Sequence, residues 1–317
     1  MKKASRLSWS QNLLYRLFAL GFALLAMIHR RFLVRLAGPI SRIWWILDKR
    51  HRDIAGDNLA KAYPDKNIIW INRTAKAVFR HLAIVALEMP SLMRINRDNL
   101  EDFVRVEGLE NLQKLLEQNR GCFFLTGHFG NWELIALAAS LFLKRPLFVM
   151  GRKMDMPAFD RLLTEMRSRT GNRVIDKDDS ANLVGRIIRQ GGAVGILLDQ
   201  NAYYTEGLYL DFFGRRACTN KGLALLAIRH NAPVAPVFSF READGRYRVE
   251  FCELLEMERT GDLRADVEAN TIRFNQVLEN TIRRAPEQWL WVHRRWRMMP
   301  VPENMRHKLK NYPGPEE

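Results

Sequence analysis

Three cysteines in 317 residues, Cys122, Cys218 and Cys252, are too few and too far apart for a disulfide framework, and no Cys-x-x-Cys pair occurs. The odd count points to a reducing compartment and away from a thiolate metal cluster. Cys122 and Cys252 stand in apolar or strand-like runs and read as small buried hydrophobes. Internal repeats and long linkers are absent. Acidic residues are short by comparison with basic ones, 35 Asp+Glu against 50 Lys+Arg, a net charge of +15. Such an excess calls for an anionic partner: nucleic acid, an anionic membrane surface or an acidic protein. No helix-turn-helix, RNA-recognition or zinc-finger pattern accompanies it, which weighs against nucleic acid.

Long apolar runs are missing as well. The uncharged stretch Leu17–Ile28, between Arg16 and His29, falls short of the roughly 20 residues that a membrane span needs. Counting back to Leu13 and letting Arg16 reach the headgroups lengthens it to a tilted span. No small-x-small cleavage site follows, and Arg30 and Arg31 come instead, so a cleaved signal peptide is disfavoured. The reading is an uncleaved anchor or interfacial helix; the soluble alternative is a buried core helix. In the first 52 residues Lys2, Lys3, Arg6, Arg16, Arg30, Arg31, Arg35, Arg42, Lys49, Arg50 and Arg52 face one acid, Asp48. The basic flank, together with the reduced-looking cysteines, puts the bulk of the protein on the cytoplasmic side. Trp44 and Trp45, beside Arg42, suit either a membrane-interface belt or a core.

What is present is an ordinary globular composition, 47% hydrophobic, in a chain long enough for a sizeable core. Residues 50–96 carry apolar side chains at helical spacing, such as Val78, Leu82, Val85 and Met89, interrupted by Pro64 and Pro90. From Phe103 onward short apolar runs alternate with amphipathic segments. Strands are expected over 103–106, 122–125, 146–150, 193–198, 234–240 and 247–252. Helices are expected over 109–116, 132–143, 157–169, 180–189, 221–230 and 266–284. Alternation of this kind predicts an α/β fold with a mostly parallel sheet flanked by helices. Asp244-Gly245-Arg246 between two adjacent strands reads as a hairpin turn, making the sheet mixed. The expected organisation is an anchor region over 1–45, one α/β domain over 46–300, and an extended or disordered tail over 301–317.

The stretch around which this pattern is arranged is Thr126-Gly127-His128-Phe129-Gly130-Asn131-Trp132-Glu133, between strand and helix. On one continuous helix, five residues turn through roughly 500°, so His128 and Glu133 would face apart. They can meet only with His128 in the turn and Glu133 in the first helical turn, a break that Gly130 and Asn131 permit. Glu133 would then fix the imidazole tautomer, leaving the other ring nitrogen to take a proton from a hydroxyl. The alternative is a turn histidine that only hydrogen-bonds its own loop. Metal binding is disfavoured, because the spacing is not His-Glu-x-x-His. In such sheets ligands bind beyond the carboxyl ends of strands, and two more strands end in Gly151-Arg152-Lys153 and Asp199-Gln200-Asn201. The segments 212–216 and 286–296 pair aromatic faces with Arg215, Arg216, Arg294 and Arg295, which suits phosphates beside an apolar surface or a core edge covered by arginine stems.

These stretches, in this order, resemble the late acyltransferases of lipid A biosynthesis, within the glycerolipid and lysophospholipid acyltransferase group. The resemblance runs from the anchor to the closing segment Glu287-Gln288-Trp289-Leu290-Trp291-Val292-His293-Arg294-Arg295-Trp296. It includes the His128-x4-Glu133 block, Gly151-Arg152-Lys153, Asp199-Gln200 with Phe212-Phe213-Gly214, and Ala232-Pro233-Val234-Ala235-Pro236-Val237. Arg52 and Asn58-Leu59 before Ala62-Tyr63-Pro64 also match, with tyrosine where phenylalanine is usual. The resemblance implies that His128, oriented by Glu133, deprotonates a hydroxyl on a 3-hydroxyacyl chain of an anionic glycolipid. The alkoxide would attack the thioester of an acyl-acyl carrier protein, a co-substrate, with no metal or nucleotide cofactor. Arg152 would steady the oxyanion, helped by backbone amides near Gly130 and Asn131, and Asp199 would position Arg152 or the acceptor. Asn131, Lys153, Gln200, Arg215, Arg294 and Arg295 would hold the acceptor. Two other readings stand beside this one: the same chemistry on another glycolipid or a lysophospholipid, and a non-enzymatic basic membrane- or nucleic-acid-binding protein.

Overall fold

The computed structural model describes residues 8–151, 153–176, 181–299 and 301–306, together with 309 and 312. Four helices come first: α1 (Trp9–Met27), α2 (Arg30–Leu47), α3 (Lys49–Ala62) and α4 (Ile68–Leu92). There follow β1 (Val104–Glu107), α5 (Glu110–Glu117), β2 (Cys122–Thr126), α6 (Trp132–Leu143), β3 (Leu147–Gly151), α7 (Pro157–Ser168), β4 (Arg173–Asp176) and α8 (Ala181–Arg189). The chain continues through β5 (Ala193–Leu197), β6 (Gly207–Phe212), β7 (Arg215–Asn220), α9 (Gly222–Arg229), β8 (Val234–Arg241), β9 (Tyr247–Phe251) and α10 (Leu263–Arg284).

Seven strands form one sheet in the order β1-β9-β8-β2-β5-β3-β4. Strands β8, β2, β5, β3 and β4 run parallel, and β9 turns back against β8 through the expected hairpin. The sheet is therefore mixed and mostly parallel, with helices on both faces. Side-chain alternation along β2 explains the layering. Phe123 and Leu125 point into a core shared with α4, α8, α9 and α10, whereas Cys122 and Phe124 point into one shared with α5, α6 and α7. Every residue of β2 is buried, as a central strand covered on both faces requires.

Strand β4 and the two-stranded hairpin β6–β7 lie outside the segments that periodicity marks. Arg173–Asp176 is too short and too charged to stand out, and Phe212-Phe213-Gly214-Arg215 is the hairpin's tight turn, with Phe213 and Gly214 both at positive φ. Pro64 separates α3 from α4 as expected, but Pro90 is carried inside the last turn of α4, which ends two residues later. Beyond Pro300, Glu303–Arg306 forms a single helical turn.

Helix α1 is long and apolar enough to cross a membrane, and although one side rests on α7 and α4, almost none of it is fully buried. Of its residues only Ala26 is buried, which sets aside the core-helix alternative. Helix α2 turns away at His29 and has two apolar rows. Leu33 is buried and Ala37 packs inward against Ala83 and Ile84 of α4, while Phe32, Leu36, Ile40, Ile43 and Leu47 are exposed. Trp44 and Trp45 do not form an outward belt: both lie half-buried on Phe79 of α4, with ring centroids 4.8 and 5.1 Å away. Lys2, Lys3 and Arg6 lie outside the described residues.

Phe79, fully buried, is thus the seat of the α2 C-terminus. Phe79→Ala is expected to cost about 3–5 kcal/mol and to loosen α2. Unfolding of the detergent-solubilised protein, with Trp44 and Trp45 fluorescence as a second probe, measures both effects.

Candidate active site at the ends of β2 and β5

The connection after β2 leaves through α6 toward β3, on the β5 side of the sheet. The connection after β5 leaves through β6, β7 and α9 toward β8, on the other side. The two neighbouring parallel strands therefore diverge, which opens a crevice beyond their carboxyl ends. His128 stands at the end of β2 and Asp199 at the end of β5, just past the ladder bond from Leu198 N to Thr126 O.

The two residues are joined twice. The backbone N–H of His128 donates to Asp199 Oδ2 at 2.7 Å, and His128 Nδ1 lies 2.9 Å from Asp199 Oδ1. Trp289 Nε1 donates to the same Oδ2 at 2.7 Å. Asp199 is only 2% exposed. Burial pushes its carboxyl up, but the charge and ring N–H of His128, the Trp289 indole and the His128 backbone amide outweigh burial and bring it down to about 2. An ionised carboxylate only accepts hydrogen bonds, so Nδ1 carries a ring proton, and Nε2 has no hydrogen-bond partner among the described residues. The ring is about one-fifth exposed and leans edge-on against Trp132, 5.2 Å between centroids.

Glu133, which the sequence pairs with His128, faces elsewhere. Its carboxylate takes a two-pronged bond from Arg167 of α7, through Nε at 2.8 Å and through Nη2. Helix α6 begins at Trp132, with Asn131 as its cap, so Glu133 points to the α7 side of the first turn. An added Cβ at Gly151, at the end of β3, would lie 3.9 Å from Arg167 Nη1, so the guanidinium stands near that strand end. Arg152 itself lies outside the described residues.

Other expected contacts are also redistributed. The amides of Gly130 and Asn131 are already engaged, donating to Gln288 O at 2.9 Å and to Ser239 Oγ at 2.8 Å, so neither is free for an oxyanion. The Asn131 side chain is fully buried, and its Oδ1 caps α6 by accepting from Leu134 N. Arg295 is fully buried too. It donates to Cys218 O and Thr219 Oγ1 at 2.8 and 2.6 Å and lies over the Phe212 ring, so it braces β7 and meets no phosphate. Burial lowers its guanidinium to about 10. Its neighbour Arg294 is exposed, as are Arg215 in the hairpin turn and Gln200 beside Asp199. Lys153, exposed on the β3 side, lies 3.5 Å from Asp176 Oδ2.

His81, which no spacing marks, completes the surroundings together with Gly130, His293 and Asn58. His81 of α4 donates from Nε2 to Gly130 O at 3.1 Å, and burial pulls its imidazole down to about 4, so it is neutral at physiological pH. Gly130 has φ +57°, and a Cβ there would run into Ser239 O, so only glycine fits the turn. His293 accepts from Asn201 N at 3.0 Å, while Asn58 of α3 donates to the carbonyls of Trp291 and His293, both at 2.7 Å. These bonds hold the aromatic segment 289–293 against the crevice.

The depressed carboxyl of Asp199 stabilises the folded state above the ordinary aspartate range, and that stabilisation is lost as pH falls toward its folded value. Asp199→Asn is therefore expected to lower stability at neutral pH by roughly 2 kcal/mol. The gap to wild type should narrow between about pH 4 and pH 2, as followed by unfolding curves across that range.

Comparison with known proteins identifies the family. A family model for bacterial lipid A biosynthesis acyltransferases matches residues 1–298. The chain is 27% identical over 258 residues to the lipid A biosynthesis palmitoleoyltransferase of Escherichia coli, covering 81% of this chain and 82% of that one. It is 24% identical to the lauroyltransferase of the same organism over 268 residues, 84% and 85% of the two chains. The myristoyltransferase of that organism shares 23% over 271 residues, 84% and 82%. With nearly its whole length matched, the chain belongs to the bacterial lipid A biosynthesis acyltransferase family.

Proposed function

We propose that this protein transfers a fatty acyl chain from an acyl-acyl carrier protein to a hydroxyl of a 3-hydroxyacyl chain on a lipid A precursor, with His128 as general base. The observation that carries this reading is the Asp199 carboxylate on His128 Nδ1, which leaves Nε2 as a proton acceptor at the mouth of the crevice. Nε2 takes the hydroxyl proton as the oxygen attacks the thioester carbonyl carbon. Negative charge gathers on the carbonyl oxygen. The C–S bond then breaks, and the proton on the imidazolium passes to the departing sulfur. Asp199 stays ionised throughout, holds the tautomer and balances the imidazolium, the part first assigned to Glu133. Glu133 instead holds Arg167, whose guanidinium is a cation for the oxyanion or an acceptor phosphate, a part the resemblance gives to Arg152.

The chemistry asks for no metal or nucleotide, because the histidine supplies the base and the thioester supplies the leaving group. Exposed Lys153, Gln200, Arg215 and Arg294 remain candidates for the acidic acceptor. The net charge of +15 suits three anions: membrane headgroups, the glycolipid and the acidic carrier protein. Helix α1 anchors the protein in the inner membrane and α2 lies along the cytoplasmic interface, with its exposed apolar row in lipid.

The test is a transfer assay in detergent, with a tetraacylated lipid A precursor, with or without Kdo sugars, and a set of acyl-acyl carrier proteins. His128→Ala is expected to lower kcat/KM by roughly 10²-fold or more. Asp199→Asn should lower kcat by a comparable factor without changing KM for the donor, because it spoils the tautomer and spares binding. Glu133→Gln should be rescued in part by nothing that restores His128, only by changes that re-seat Arg167. Full transfer by His128→Ala would overturn the mechanism, and transfer only to another glycolipid would change the acceptor.

A further inference from the structure

A second cleft lies away from the crevice, between α1, the end of α4 and α7, with a volume of about 730 Å³. That is within the range of roughly 300–1,000 Å³ typical of small-molecule sites. Its cause is the composition of one α1 face. The outward residues Leu13, Leu17, Leu20 and Leu24 are large and exposed, whereas the face turned to α7 carries Ala19, Ala23 and Ala26. Phe18 and Phe22 hold the helices apart by packing edge-on against Phe159, at 5.8 and 6.4 Å. The alanines cannot fill the resulting gap, which Leu162 and Met93 line from the other side.

The cleft is apolar along its length and charged at its rim. Glu165 is already satisfied: Tyr15 donates to it at 2.6 Å and Arg161 Nε at 2.9 Å. Arg94 and Arg169, both exposed, have no carboxylate partner among the described residues. Arg94 Nη1 donates to Ala26 O at 2.9 Å, which places this cation at the α1 C-terminus, directly before His29, Arg30 and Arg31. An alkyl-lined slot open along a membrane-anchoring helix, with cations at the end where basic residues cluster, has the polarity of a lipid lying parallel to α1.

We propose that this cleft binds one anionic glycerophospholipid of the surrounding bilayer, an acyl chain along Ala19, Ala23 and Ala26 and its phosphate at Arg94 and Arg169. The lipid is a structural ligand and takes no part in acyl transfer. The assignment rests on α1 lying in the membrane and is independent of the role of His128. By filling the gap, the lipid braces α1 against α7, the helix that carries Arg167.

The full chain in a neutral detergent, titrated with phosphatidylglycerol or phosphatidylcholine, tests this by native mass spectrometry and thermal unfolding. Phosphatidylglycerol at about hundredfold excess over its Kd should raise the Tm of wild type by roughly 5 °C, with one lipid retained. Phosphatidylcholine should do markedly less. Ala23→Trp, which fills the slot from an exposed position, and Arg169→Glu, which reverses the charge at its rim, should each abolish the shift while keeping the lipid-free Tm. If Ala23→Trp proves unstable, Ala19→Phe and Arg169→Glu carry the test. Retention of the phosphatidylglycerol shift in these variants would overturn the proposal, as would equal protection by phosphatidylcholine. So would displacement of the bound lipid by the acyl-transfer acceptor, which would make the cleft a substrate site.

Discussion

The carboxylate of Asp199 is the group on which the site depends. Burying a charge is costly unless donors surround it, and here three N–H groups do so. Two belong to one residue: the His128 backbone and ring both point at it, at 2.7 and 2.9 Å. One acid thereby fixes both the turn and the orientation of the imidazole. The third donor, Trp289, ties the C-terminal aromatic segment to the same carboxylate, and an isolated bridge between Phe129 and Trp289 closes the arrangement. Gly127 allows the close approach. A Cβ there would lie 3.0 Å from Asp199 Cγ, so the carboxylate and the turn could not both keep their places.

The fold class, the strand-turn-helix setting of His128 and the position of Asp199 at a strand end were legible in the sequence, because each follows from local periodicity and turn chemistry. The pairing of acids and bases was not. Glu133 is five residues from His128 and Asp199 is 71 residues away, so distance along the chain favours Glu133, whereas the hydrogen bond is to Asp199. Only the sheet order, which places β5 next to β2 and β3 one strand further, makes Asp199 the neighbour. Arg167 was hidden for the same reason, as one of several basic residues on an amphipathic helix. Arg294 and Arg295 show the limit most plainly. They are adjacent and chemically identical, yet one is exposed and the other fully buried beneath the β6–β7 hairpin, whose strands periodicity did not mark.

Both backbone groups of Gly130 are held by residues outside its own loop. Its N–H goes to Gln288 O and its carbonyl accepts from His81 of α4. Gln288 is itself fixed, accepting from Arg241 N at 2.8 Å and donating to Arg241 O at 3.1 Å at the end of β8. Arg241 borders Glu88 of α4, 3.7 Å away, and Glu88 accepts from Arg30 of α2 and from the Tyr247 hydroxyl, each at 2.7 Å. The tyrosine hydroxyl is held protonated, since burial and the adjacent carboxylate push it well above its ordinary value. Glu88 is 2% exposed, and removing either of its close partners would leave a buried charge poorly matched, a strongly destabilising change.

This chain of contacts begins on the apolar helices and ends at the turn that carries His128. Arg30 stands at the first residue of α2, shortly after α1, and its guanidinium also lies over the rings of Phe103 and Tyr247. No flexible linker separates the exposed apolar helices from the elements that build the crevice, since α2 packs along α4 and α4 reaches Gly130 through His81. For the proposed transfer, that has a mechanical consequence. An acceptor whose acyl chains lie in the bilayer cannot move far from it, so the base must be held at a set height above the lipid surface. Buried ion pairs serve that purpose better than apolar packing alone, because a slip of one helical turn would strand Glu88 without Arg30, whereas leucines could repack. The polar network under α2 thus favours one registration of α2 against the site, and in the proposed membrane setting the height of His128 follows from it.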